Sequence, residues 1–220
     1  VPGVQLNGAG GVSSLPAVHG LADDRLRIRV DGMDLVATCP NHMNPPLSYL
    51  DPAQVASLQV YAGIAPVSVG GDSIGGSIVA TTPAPAFAAT GETRAGGEVA
   101  SFYRSNHAAL GGSVDLHWAN DGFHVGYRGG SSRADNYRAG RDFKTVVGTG
   151  RPGHELSLDE VGSTAYETTN HALNLALKRD AHLLEARLGY QDMPAQLFPN
   201  QRMDLLDNTQ KRGSVRYRGE

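Results

Sequence analysis

After residue 90 the chain places apolar side chains at every second position. Val114, Leu116 and Trp118 alternate with Ser113, Asp115 and His117, and Phe123, Val125 and Tyr127 alternate with His124, Gly126 and Arg128. Leu173, Leu175 and Leu177 oppose Ala172, Asn174 and Ala176. Leu184, Ala186, Leu188 and Tyr190 oppose Glu185, Arg187 and Gln191. A repeat of two sends successive side chains to opposite faces of a strand, so this region is predicted to be antiparallel sheet with one apolar face. Two architectures accept that pattern. A soluble sandwich turns the apolar face inward, whereas a membrane barrel turns it to lipid and keeps the polar face for the lumen. Connection lengths separate them: those at 119–122 and 178–181 are tight, while those at 129–166 and 192–211 are long and polar. Short turns at one rim and long loops at the other are the asymmetry of an outer-membrane barrel, and Trp118 and Phe123 flank a short turn where an aromatic girdle would lie. An ordinary soluble β domain is the competing expectation.

Composition agrees with many short strands. Among 220 residues there are 28 glycines, 6% aromatics and a mean hydropathy of -0.29. The net charge of -3 gives no reason to expect a nucleic-acid partner or an anionic membrane surface. No apolar run approaches the ~18 residues of a membrane helix. A single cysteine excludes an internal disulfide. The chain opens on "VPGVQLNGAGGV", with neither Met nor a leader pattern, and ends within an apparent strand at "SVRYRGE"; a piece of a longer protein is expected.

Residues 1–86 have a different texture. Leu26, Ile28 and Val30 alternate with Arg25, Arg27 and Arg29; Asp31-Gly32 then supplies a tight hairpin turn, and Met33, Leu35 and Ala37 continue the alternation on a return strand. The three arginines are expected to form the polar face of this hairpin against a surrounding wall. Asp51 before Pro52 predicts a capped helix running to about Ser57. "LQVYA" and "IVATT" read as strands on either side of the glycine-rich "VGGDSIGGS". That turn lacks the Gly-Lys-Ser/Thr ending of a phosphate loop, and tight turns account for its glycines. A small α+β unit is predicted here, closing near "PAPAF".

The order of these parts resembles the plug and first barrel strands of the TonB-dependent outer-membrane receptors. The family's strand ending in Asp-Gly, its Pro-capped helix, its strand closed by Gly and its Gly-rich turn correspond to Asp31-Gly32, Asp51-Pro52, Gly63 and Gly70 to Gly76. The sequence departs at "AGIAPVSVGG", where most members carry Arg-Gly-Pro and a Tyr-Gly pair, which leaves the cargo subgroup open. The resemblance implies a plug over 1–86, followed over 87–220 by about six strands of a barrel of roughly 22 strands. It further implies transport rather than enzyme activity, no catalytic residues, no organic cofactor, and as partners outer-membrane lipid, a metal or metal chelate, and TonB through a segment preceding the plug.

A narrower resemblance rests on "TCPNHMNPPLSY", residues 38–49. The TonB-dependent copper receptors carry a similar Cys-Pro-Asn-x-Met-x-Pro-Pro stretch, and their copper ligands there correspond to Cys39 and Met43. Thiolate and thioether are soft donors suited to Cu(I), and methionine is a poor ligand for zinc. His42 is a further candidate donor. The family's remaining His-x-Met pair has no counterpart in these residues; Met193 and Met203 are weak stand-ins. A buried, inert cysteine is the plainer alternative for Cys39. His19 is expected to be structural, and His117 and His124 to line the lumen. Competing readings are a siderophore or other chelate as cargo with a structural Cys loop, a soluble thiol enzyme using Cys39 with His42, and a passive channel or adhesin barrel, against which the plug-like opening speaks.

Overall fold

The computed structural model describes residues 1–8, 11, 12, 14–35, 39, 44–70, 73–199 and 203–219. Three sheets organise the described residues. A short hairpin pairs β1 (Val4–Gly8) with β2 (Ser14–Val18). A second, four-stranded sheet has the order β4-β3-β6-β5, from β3 (Leu26–Val30), β4 (Met33–Asp34), β5 (Ser57–Ala62) and β6 (Gly76–Thr81). The third is a six-stranded antiparallel meander in chain order: β7 (Arg94–Arg104), β8 (Ala109–Ala119), β9 (Phe123–Ala134), β10 (Tyr166–Arg179), β11 (His182–Gln196) and β12 (Leu205–Gly219).

The β3–β4 hairpin turns at Asp31-Gly32, both at positive φ (52° and 87°), as two-residue turns between right-twisted strands require. Alternation on β3 works as the sequence predicts. Leu26, Ile28 and Val30 are buried, the first two packing with Val18 and Ile78, and Val30 packing with Leu50 and Ala80. On the opposite face Arg27 and Arg29 bond Asp34, and Arg29 also donates to the Val69 carbonyl at 3.3 Å. Arg27 forks onto Asp34 at 2.7 and 2.8 Å, while Arg29 lies 3.6 Å from Asp34 and donates to the Gly32 carbonyl at 2.9 Å. It is the turn itself that reaches the wall.

Three boundaries differ from expectation. The helix predicted to run from Asp51 to about Ser57 is a 3₁₀ turn over Pro52–Gln54. Its cap is as predicted, the Asp51 carboxylate accepting from Ala53 N at 2.9 Å, but Ala56 N already donates to Thr81 O at 2.8 Å. Pairing with β6 claims the backbone before a helical turn can propagate, and β-branched Val55 favours that outcome. A one-turn helix, α1 (Val67–Gly70), precedes the glycine-rich turn. In the large sheet the connection placed at 192–211 is only 197–204, because β11 and β12 stay paired through Asp192↔Thr209 and Met193↔Asn208. β9 likewise runs on to Ala134 before the long 135–165 connection.

The burial pattern of the six strands is inverted relative to a soluble sheet. On β11 Glu185 and Gln191 are buried, whereas Leu184, Leu188 and Tyr190 are exposed. Leu116, Trp118, Leu177, Val215 and Tyr217 share that exposed side. Asn170, Asn174 and His124 lie on the inner side, with Asp115, His117 and Arg128 in register there. A sheet that hides its amides and carboxylates and displays its leucines is built to face hydrocarbon. Trp118 and Phe123 meet beside the 119–122 turn, ring centroids 6.1 Å apart, at the edge of this apolar band.

Candidate functional site

The inner, polar face of the six strands grips the small sheet. Arg187 on β11 reaches Asp31 at 2.7 Å and Thr82 Oγ1 at 2.8 Å. Arg216 on β12 donates to the Asp31 carbonyl at 2.6 Å. Arg212 donates to Gln54 Oε1 at 2.8 Å and the Tyr49 carbonyl at 3.4 Å. It gets there by lying across Gly189, where a Cβ would come within 2.4 Å of its Nε; only glycine leaves that path open. Toward the long-loop rim Gln191 donates to the Ser48 carbonyl at 2.9 Å, and Val12 packs on Ala109, Ala134 and Tyr166.

Asp31 is the acid at the centre of this grip, its side chain only 7% exposed. Burial by itself raises a carboxyl pKa. Here the backbone and hydroxyl of Thr82, with the Arg187 guanidinium, outweigh burial and hold Asp31 below its ordinary value. A folded-state pKa below the unfolded one means that the contact contributes fully above the unfolded value of about 3.9 and is lost as pH falls through the folded one. The other charges facing it are Arg212 and Arg128 across a shared cavity, Arg216 and, through Arg187, Glu185. Amide exchange protection at the β3–β4 turn is expected to stay level from about pH 7 to pH 5 and to fall below about pH 4, and Asp31→Asn to remove that fall.

Cys39 lies at the rim opposite the 119–122 and 178–181 turns, beside the 197–204 connection. Cys39 is free and half-buried, and it packs against Phe198, which is 0% exposed and lies just beyond the end of β11. Leu205 completes this cluster, and Asp204 caps the connection by accepting from Phe198 N at 3.1 Å. Beyond the loop Asn44 is buried. It donates to the Tyr49 hydroxyl at 3.0 Å and accepts from Ser48 Oγ, which also bonds the Pro45 carbonyl at 2.6 Å. With Pro46 opening a 3₁₀ turn over Pro46–Tyr49, this network anchors the loop's C-terminal end, and Gln191 ties the anchor to the wall. Met43 and His42 lie outside the described residues. Among the described residues no group of three or more His, Cys, Asp or Glu side chains converges as a metal cage.

Sequence alone does not single out Phe198 or Asn44. Asn44 carries a faint signal, a polar residue before a proline pair; Phe198 carries none, since its partner is 159 positions away. His19, expected to be structural, has its ring over Gly3 and donates its backbone N–H to the Gly3 carbonyl at 2.7 Å. Met193 is fully buried and Met203 half-exposed. Because Phe198 shields the thiol, Phe198→Ala is expected to speed Cys39 alkylation, about tenfold for each ~1.4 kcal/mol of packing energy that the ring supplies. Maleimide kinetics on the purified full-length protein check this; an unchanged rate would mean that Phe198 does not cover the sulfur.

Residues 1–77 match the TonB-dependent Receptor Plug Domain family model. No curated protein sequence matches the chain. Solved structures do. The copper transporter OprC superposes with a TM-score of 0.80 at 21% identity, over 99% of this chain and 31% of that one. The hemophore receptor HasR of Serratia marcescens, in complex with HasA and heme, gives 0.77 at 17% identity, over 99% and 31%. The FrpB iron transporter of Neisseria meningitidis in its apoprotein form gives 0.76 at 17% identity, over 100% and 33%. The chain thus spans about a third of the length of these structures.

Proposed function

Residues 1–77 are a TonB-dependent receptor plug domain, the strands after them have the fold of an outer-membrane receptor's barrel wall, and on that footing we propose that the whole protein imports copper across the outer membrane. The observation that carries the cargo is the free Cys39 thiol, held half-buried at the long-loop rim and followed four residues later by Met43. The fold itself is shared by proteins described as copper, iron and heme-related receptors, so the choice rests on donor chemistry. A thiolate with a thioether selects Cu(I) over hard cations, and His42 is the candidate third donor. The ligating thiol must lose its proton, so uptake of each ion releases one and affinity rises with pH. The chain's own part is binding and passage, with no reaction catalysed. TonB, engaging a segment outside these residues, supplies the work that shifts the plug.

A second reading has a specific observation in its favour. Phe198 covers Cys39 with apolar surface, as it would a structural thiol, and an iron or heme chelate would then be the cargo. Cu(I) competition on the purified full-length protein separates the two. The copper reading expects Cys39→Ala and Met43→Ala each to weaken binding by more than about 100-fold, beyond the effect of losing an outer-shell partner. Unchanged affinity in both variants would leave the chelate reading standing.

A further inference from the structure

Between the β3–β4 turn and the inner faces of β9 to β12 lies a cavity of ≈ 40 Å³ lined by Asp31, Thr82, Arg128, Asn174, Arg187 and Arg212, among others. Three guanidiniums thus face one carboxylate. Arg128 is paired with Asp115, and Arg187 with Asp31 and, at 3.6 Å, Glu185. Both oxygens of Asp31 are already occupied by Thr82 and Arg187. Arg212 differs. Its two hydrogen bonds go to neutral oxygens, and among the described residues no carboxylate lies within ion-pair distance. Arg212 is half-buried, its nearest opposing charge is Asp31 across the cavity, and its five N–H donors are more than two acceptors satisfy.

Unsatisfied groups gather at the same place. The Nε of Arg187 and the amide oxygen of Asn174 are buried without a partner among the described residues, and both residues line the cavity. Arg212 is opposite Gly189 in the ladder, one inward-facing position from Arg187, so the two guanidiniums approach from adjacent strands. Turning the Asn174 amide end for end adds another N–H donor. The volume decides the size of the occupant. At about 10–15 Å³ per water, the space takes a few waters or one monatomic anion, and no chelate.

We propose that this cavity binds one chloride-sized anion between the Arg212 guanidinium and Arg187 Nε, joining the plug turn to β11 and β12. The anion supplies acceptors for the spare N–H donors of Arg212 and for Arg187 Nε. This assignment is independent of the cargo and of Cys39.

Crystals of the full-length protein soaked in sodium bromide test it. An anomalous peak between Arg187 and Arg212, absent in Arg212→Met, is expected. Waters alone, or a carboxylate from the remaining barrel seated on Arg212, would overturn it. In detergent solution the wild type is expected to melt higher in chloride than in gluconate, too large for the cavity, at equal ionic strength. Asn174→Asp, which builds a negative charge into the site, is expected to abolish that difference even if Arg212→Met does not fold. A chloride dependence that survives in Asn174→Asp contradicts the proposal.

Discussion

Leu188→Arg is expected to destabilise the full-length barrel in lipid vesicles by about 2–4 kcal/mol, the cost of a cation on the lipid face near the bilayer midplane. Leu188 is 57% exposed, in register with Gly213 on β12 and Leu173 on β10. On a soluble surface the same substitution would change stability by no more than about 0.5 kcal/mol. The two architectures that the alternation allows therefore predict opposite results from one exposed leucine. Reversible denaturant unfolding from vesicles gives the measurement. A loss within the soluble range would mean that the exposed leucines do not face hydrocarbon.

Arg187→Met is expected to be at least as damaging for a different reason. It removes the cation bonded to the Asp31 carboxylate at the plug–wall contact, while Glu185 keeps Arg218 at 3.1 Å. Removing one partner of a buried pair costs about 3–5 kcal/mol, and side chains 17% and 7% exposed are little screened. Asp31→Asn in the same background is expected to recover part of the stability, because the stranded carboxylate is then neutral. Hydrogen exchange at the β3–β4 turn reports it. Effects of the two substitutions that simply add, within about 0.5 kcal/mol, would show that Asp31 and Arg187 are not coupled.

What can be read from sequence follows from where local chemistry suffices. The Asp31-Gly32 turn is legible because only certain residues accept two successive positive φ values. The lipid band is legible because leucine and valine alternate strongly with Glu185, Arg187 and Gln191. Above that band the outward residues are themselves polar, Asp192 and Thr209 in register and Ser131 beside Thr169, so the alternation loses contrast while the ladder continues. Periodicity therefore ends the strands several residues short. The Asp51-Pro52 start is sound, but no local signal reveals that β6 captures the chain at Ala56. Phe198 on Cys39, and Arg212 across Gly189, are decided by partners far apart in sequence. The Cys39, His42 and Met43 set is legible as donor chemistry, and of its members the structure describes only Cys39.

The sidedness of Cys39 in living cells reaches the heart of the account. Cells producing the full-length receptor would be treated with a membrane-impermeant maleimide, with Cys39→Ser as the control and Phe198→Ala to uncover the thiol. A plug seated inside an outer-membrane wall, its Cys39 at the long-loop rim, predicts Cys39-dependent labelling of intact cells. Labelling that appears only after the outer membrane is permeabilised would place the thiol on the periplasmic side and contradict it.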